Sequence, residues 1–192
     1  GRELEIEGDW SAAAFMLVAG AIAGEVKVNK LGSSSQPDQQ IKSILMGAGA
    51  DMEFSANKVF VSKKELRAFE FDATDSPDLF PPLVALACNC KGKSVIRGVG
   101  RLLHKESNRA QALVHEFTRM GADIKIFGDR MEIIGKKLRG GLVESNGDHR
   151  IAMACAVAAL TSENGVEIRN SEYVSKSYPE FFEDLAKLRG ER

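Results

Sequence analysis

A chain of 192 residues fits one ordinary domain or two small ones, and a hydrophobic content of 44% is enough for a sizeable core. Lys and Arg number 26 against 27 Asp and Glu, a net charge of -1, which argues against a broad nucleic-acid surface and against a polybasic membrane patch. The cysteines, Cys88, Cys90 and Cys155, sit in apolar runs as the reduced core thiols of a cytoplasmic protein do, and with no second pair Cys88 and Cys90 do not read as a zinc site. Apolar runs such as Ala12 to Ala23 fall short of the roughly 20 residues that span a bilayer.

Alternation over Glu3 to Glu7 predicts a first strand. Asp9 or Ser11 caps a helix through Ile22, and Val26 to Leu31 reads as a strand. Pro37 opens a helix through Met46, because proline suits a first helical turn. Asp51 to Ser55 and Lys58 to Ser62 form a hairpin. The same programme then recurs. Phe69 to Phe71 is a strand, Pro77 to Cys90 a helix, Ser94 to Val99 a strand and Ser107 to Met120 a helix. Asp123 to Phe127 and Arg130 to Ile134 make the second hairpin. Gly49-Ala50-Asp51 and Gly121-Ala122-Asp123 match at a spacing of 72, each where glycine can end the second helix of its unit. A third unit starts near Leu142, with a helix over Asp148 to Ser162, a strand over Gly165 to Asn170 and a helix over Ser177 to Leu188. It has no closing hairpin. The repeat units therefore run about 3–63, 69–135 and 142–192, and two strands from elsewhere in a longer protein are expected to complete the third, since their absence leaves a sheet edge open.

The first helix of each unit is apolar all round (Ala12 to Ile22, Leu79 to Cys88, Ile151 to Leu160), as a helix buried on every side is. The second helices are amphipathic. In Ser107 to Met120, residues Ala112, Leu113, Phe117 and Met120 mark the inner face, and Arg109, His115, Glu116 and Arg119 are assigned outside it. Three buried helices at the centre, with sheets and amphipathic helices around them, follow.

Cations collect at expected helix starts, where the backbone dipole is already positive and a cation costs a few tenths to about 1 kcal/mol. Lys105 and Arg109 fall at one start, Arg150 at another and Lys176 at a third. Either each is solvated or paired with a nearby acid, or an anionic ligand with phosphate or carboxylate groups is missing from the sequence. Glu106 is a first-turn acid or a proton relay beside such a ligand. Asp78 is a first-turn acid behind a cap at Asp75 or Ser76, or a base directed at a hydroxyl. Asp148 reads as a cap and His149 as a local hydrogen-bonding partner. Gly32 to Pro37 reads as a polar turn.

Five segments taken in order resemble the enolpyruvyl transferase family: Glu7-Gly8-Asp9-Trp10-Ser11-Ala12-Ala13, Ser76-Pro77-Asp78, Lys105-Glu106-Ser107-Asn108-Arg109, Gly147-Asp148-His149-Arg150-Ile151-Ala152-Met153-Ala154 and Lys176-Ser177-Tyr178-Pro179. The resemblance covers essentially the whole chain. It implies an α/β fold with a pseudo-threefold repeat of βαβαββ units, an inside-out α/β barrel, and it makes residues 1–192 the C-terminal, lower domain of a two-domain enzyme. The partner domain is then the missing N-terminal one, and the full-length protein is a monomer. The implied reaction moves the enolpyruvyl group of phosphoenolpyruvate to the 5-hydroxyl of shikimate 3-phosphate by addition and elimination, releasing phosphate, with no metal or organic cofactor.

The motifs cast Asp78 as the base near that hydroxyl, Lys105 as a ligand of the same substrate and Glu106 as the acid that handles protons. They cast Arg109 and Arg150 as the clamp on the phosphoenolpyruvate carboxylate and Lys176 as a contact to its phosphate. Arg101, at a position where the family commonly has asparagine, is directed toward the shikimate phosphate. Leu103, Asn108 and Gly147 also depart from the common pattern. A sister enzyme acting on a UDP-sugar and a non-catalytic anion-binding module are the alternatives, and the Lys105 to Arg109 run favours shikimate.

Overall fold

Asp9 begins the described structure in earnest: its carboxylate accepts the Ser11 and Ala12 N–H groups at 2.9 and 3.1 Å and caps α1 (Trp10–Ala23). The computed structural model describes residues 7–188, so most of the strand expected over Glu3 to Glu7, and the last four residues of the third unit, lie outside the described residues.

α1 is followed by β1 (Glu25–Asn29), α2 (Ile41–Ala48) and the hairpin β2 (Asp51–Ser55) and β3 (Lys58–Ser62). Then come β4 (Glu70–Asp72), α3 (Phe80–Cys88), β5 (Lys93–Arg97), α4 (Arg109–Arg119), β6 (Asp123–Phe127) and β7 (Arg130–Ile134). The chain continues with β8 (Gly141–Glu144), α5 (His149–Ala159), β9 (Val166–Arg169) and α6 (Phe181–Leu188). Short 3-10 helices at Pro37–Gln40 and Pro77–Leu79 lead into α2 and α3, so proline opens both segments as expected, but in the tighter helix.

Three sheets form among the described residues. The middle one has the order β4-β5-β7-β6, with β4 parallel to β5 and the other pairs antiparallel. The first sheet, β1-β3-β2, repeats the last three strands of that order, and its pairs Asp51↔Ser62 and Ser55↔Lys58 recur 72 residues on as Asp123↔Ile134 and Phe127↔Arg130. The third, β8 parallel to β9, repeats the first two strands. Gly49 and Gly121, at φ 97° and 92°, end the second helices in the left-handed region that glycine enters freely.

α1, α3 and α5 pack on one another at the centre. Their residues Ala14, Phe15, Leu17, Leu83, Leu86, Ala152, Cys155 and Val157 have no exposed surface. Small residues permit the close approach. At Gly20 an added Cβ would lie 2.8 Å from a Val61 methyl and 2.9 Å from Val26, so β1 and β3 sit directly on α1. Phe181 of α6 is fully buried, edge-on to Phe15 at 6.4 Å. The three cysteines are free and buried, and no helix among the described residues is long and apolar enough to cross a membrane.

Two expectations are corrected. Lys176 does not open a helix; it ends a 3-10 helix at Ser171–Lys176, and α6 starts only at Phe181. Pro179 explains this, because the residue before a proline is kept out of the helical region. On α4, Arg109 and Glu116 do not face outward with His115 and Arg119. They are 0% and 1% exposed. Seven residues of helix turn about 700°, some 20° short of two full turns, so the two lie one above the other in the apolar stripe with Leu113 and Met120. Residue type had suggested solvent; the helical period, applied without regard to type, places both inside.

Candidate active site

The connections entering α1, α3, α4 and α5 meet at the N-terminal ends of the buried helices, and Arg109 is the centre of the cluster. α4 is capped by Asn108, whose side chain accepts the Gln111 N–H at 3.3 Å, so Arg109 is its first residue and Lys105 and Glu106 belong to the turn before it. The Arg109 side chain is 1% exposed, and each of its three nitrogens donates to a carboxylate. Nε and Nη2 donate to the Asp148 carboxylate at 2.9 and 3.2 Å, Nη1 to Asp78 at 2.8 Å and Nη2 to Glu106 at 2.6 Å. Burial disfavours the guanidinium charge, and the bonds and charges of Asp148, Asp78 and Glu106 more than offset that. For Arg109 the counter-anion is therefore not missing from the sequence: three carboxylates of the chain supply it.

Asp78 sits in the 3-10 helix ahead of α3 and collects cations. Besides Arg109, Lys105 Nζ approaches one of its oxygens at 3.2 Å and Arg150 Nη2 the other at 3.3 Å. Burial alone would raise its carboxyl; Arg150, Lys105 and Arg109 outweigh burial and hold it below the usual aspartate value. Glu106 is pulled down in the same way, with burial opposed by a backbone N–H and Arg109, and Lys176 stands 3.6 Å from its other oxygen. Asp148 is the cap that the sequence suggested, accepting the Arg150 N–H at 3.0 Å, and it also accepts Ser107 Oγ at 3.1 Å. Its carboxyl is likewise lowered despite burial, chiefly by the Arg109 bond.

Four cations (Lys105, Arg109, Arg150, Lys176) and three carboxylates (Asp78, Glu106, Asp148) thus interlock, one positive charge in excess. Arg109 is shut in, whereas Lys105, Arg150 and Lys176 keep 28%, 14% and 60% of their side-chain surface. Those three can turn to an incoming anion, and the planar guanidinium of Arg150 suits a carboxylate or phosphate best.

The structure brings Asp78, Lys105, Glu106, Arg109, Arg150 and Lys176 into this one network. Arg101 stands apart, donating from Nε to the Thr74 carbonyl at 3.1 Å. His149 is 4% exposed, its Nδ1 has no partner among the described residues, and burial followed by the Arg150 charge lowers its pKa, so its imidazole is held neutral. Ser76 Oγ, two residues before Asp78, is also buried without a partner. Among the described residues no three His, Cys, Asp or Glu side chains gather as metal ligands.

Two acids escaped the sequence reading. Asp38, 7% exposed, accepts a hydrogen bond from Ser11 Oγ; burial raises its carboxyl, with Asp78 and Arg150 among the charges acting on it. It follows Pro37 as Asp78 follows Pro77, and that repeated Pro-Asp pair was the available signal. The second is Glu116.

The profile of EPSP synthase (3-phosphoshikimate 1-carboxyvinyltransferase) matches residues 1–185. Among curated relatives, the 3-phosphoshikimate 1-carboxyvinyltransferase of Pyrococcus abyssi is 41% identical over the whole chain, which covers 47% of that protein. The one from Clostridium acetobutylicum is 43% identical, again over the whole chain and 45% of that protein. The chain spans about half the length of the relatives that it matches. A solved EPSP synthase from Acinetobacter baumannii superposes with a TM-score of 0.83 at 29% identity, over 95% of this chain and 46% of that one. The enolpyruvyl transferase NikO from Streptomyces tendae shares the fold, with a TM-score of 0.74 at 19% identity, over 97% of this chain and 44% of that one. With the profile covering all but seven residues and relatives above 40% identical from end to end, the chain belongs to the EPSP synthase family.

Proposed function

We propose that this chain is the C-terminal half of a two-domain enzyme that transfers the enolpyruvyl group of phosphoenolpyruvate to the 5-hydroxyl of shikimate 3-phosphate. The observation that carries the reading is Asp78, an ionised carboxylate held by Lys105, Arg109 and Arg150 within a cluster one positive charge in excess. In this role Asp78 faces the hydroxyl, Lys105 orients the same substrate, Arg150 meets the phosphoenolpyruvate carboxylate and Lys176 its phosphate. Arg101 reaches toward the shikimate phosphate by leaving Thr74. Arg109 serves the clamp from behind, fixing Asp78, Glu106 and Asp148 together.

The hydroxyl oxygen bonds to the substituted enol carbon, its proton passes to Asp78, and the methylene carbon gains a proton handled by Glu106. The carbon–oxygen bond to phosphate then breaks, the methyl group returns a proton, and the enolpyruvyl ether and phosphate leave. Substrate anions that draw Arg150 and Lys105 away from Asp78 weaken the attractions that hold its carboxyl low. Asp78 thereby becomes able to carry a proton when substrate is in place. The cations hold the anionic groups throughout and stabilise charge as it shifts.

The reading includes three repeat units, 3–63, 69–135 and 142–192, about a pseudo-threefold axis. The parallel pair β8 and β9 supports completion of the third sheet by strands from the rest of the protein, because the matching strand of the middle sheet, β5, has β7 on its other side. It also places the protein in the cytoplasm, where buried free thiols persist. The test is release of inorganic phosphate by the complete protein given both substrates. Activity is expected there and none from residues 1–192 alone. Turnover that survives Asp78→Ala and Arg150→Ala overturns the site, and turnover with a UDP-sugar in place of shikimate 3-phosphate overturns the substrate.

A further inference from the structure

α4 buries two charges on a single stripe, and both grip the same turn. Arg109, at its first residue, holds Asp148. Glu116, two helical turns on, accepts the Glu144 N–H at 3.0 Å and Asn146 Nδ2 at 3.1 Å, and lies 2.8 Å from His115 Nδ1. Burial would raise the Glu116 carboxyl, but His115, Asn146 and the Glu144 N–H together hold it below the usual glutamate value. The turn so gripped joins β8 to α5 and carries Asp148, His149 and Arg150 at its end. Its backbone needs holding: Asn146 and Gly147 stand consecutively in the left-handed region, at φ 56° and 69°, and an asparagine there is tolerated rather than favoured. Inside the turn, the Asp148 N–H reaches the Ser145 carbonyl at 3.0 Å and the Gly147 N–H reaches Ser145 Oγ at 3.3 Å. Among the described residues, the side-chain hydrogen bonds that tie it to α4 are those of Glu116 and Arg109.

We propose that Glu116 is a positioning residue: it sets the β8–α5 turn against α4 and thereby fixes where Arg150 meets Asp78 and the substrate anion. A buried carboxylate in an apolar stripe has a desolvation cost, and the bonds it makes are the ones that order this turn. The inference rests on the function proposed for Arg150 for its kinetic readout alone.

The experiment uses the complete two-domain protein with Glu116→Gln and, separately, Asn146→Gly. Glycine accepts the left-handed backbone, so the second change removes the Asn146 bonds to Glu116 and to the Glu144 carbonyl, with little risk to folding, and leaves the Glu144 N–H bond to Glu116 in place. In both variants, amide hydrogen exchange over residues 144–150 is expected to rise about five- to tenfold, the worth of one buried hydrogen bond. KM for phosphoenolpyruvate is expected to rise by more than kcat falls. Folded variants with unchanged exchange at 144–150 overturn the proposal, and so does faster exchange with KM within about twofold of wild type, smaller than one hydrogen bond is worth. If Glu116→Gln does not fold, Asn146→Gly decides by the same two readouts. If the wild-type protein has no turnover, the proposed function fails, while the exchange measurement still judges whether Glu116 holds the turn.

Discussion

The two ends of the central helices use the same residue types to opposite purpose. At the C-terminal end, a groove of about 370 Å³ is lined by Ile22 of α1, Cys88 of α3, and Asn89 and Thr161 just beyond α3 and α5, and is ringed by Lys63, Lys64, Lys91, Lys136 and Lys137. These lysines are exposed and sit where helix dipoles are negative, so each is favourable without a ligand. Lys91 pairs with Glu65 at 2.7 Å, but both side chains are more than 70% exposed, and such pairs contribute about 0–1 kcal/mol. At the N-terminal end, Arg109, which is buried, and Arg150, which is half-buried, oppose the dipole among Asp78, Glu106 and Asp148. A cation in the wrong place needs an anion; a cation in the right place does not. A count of basic residues would rank the lysine end first, while the dipole argument points to the other.

The largest effect that could break this comparison is at Arg109. Replacing it by leucine leaves three carboxylates without their shared cation, and a loss of about 3–5 kcal/mol in denaturant unfolding is expected. Lys91→Ala should stay within about 0.5 kcal/mol. Equal losses would remove the distinction between the ends. Next comes Arg150→Ala in the complete protein, which should keep the fold and weaken phosphoenolpyruvate binding about 10- to 100-fold by calorimetry, the value of a charge-assisted pair.

pH sharpens the contrast further. Asp78, Glu106 and Asp148 titrate below their ordinary values in the folded state, so between the folded and unfolded pKa values the unfolded chain binds more protons. Their stabilisation is fully present above the ordinary carboxylate range, starts to fall near pH 4 to 5 and is lost as pH drops through the folded values. Neutral His149 adds to the same slope from nearer its ordinary value of 6.5, since the unfolded chain protonates first. Asp148→Asn should flatten the acid limb of a urea-midpoint series, whereas removing lysines at the other end should not. The smallest effect is Lys176→Gln: at 60% side-chain exposure its stability change should be near zero, while KM for phosphoenolpyruvate rises.

Much of this was legible in the residues. The 72-residue match between Gly49-Ala50-Asp51 and Gly121-Ala122-Asp123 marks the same hairpin register in two sheets. The three apolar helices are the three at the centre. The cap at Asp9 and the proline-led helical starts are local chemistry, and each was placed to within a few residues. Lys176 was misread because a cationic run before an amphipathic segment looks like a helix start unless Pro179 is given its effect on the residue before it.

What the sequence determined by itself is what short-range physics controls: caps, periodicity, the glycines that end helices, the two matching hairpins, and through the ordered motifs the family. What only the tertiary structure decided is which charges face one another. Arg109 lies 31 residues from Asp78 and 39 from Asp148, and Glu116 lies 30 from Asn146. No local pattern reports a partner at that distance. A buried charge is tolerable only where the fold delivers its counter-charge, so the burial of Arg109 and Glu116 could be known only once the helices had met.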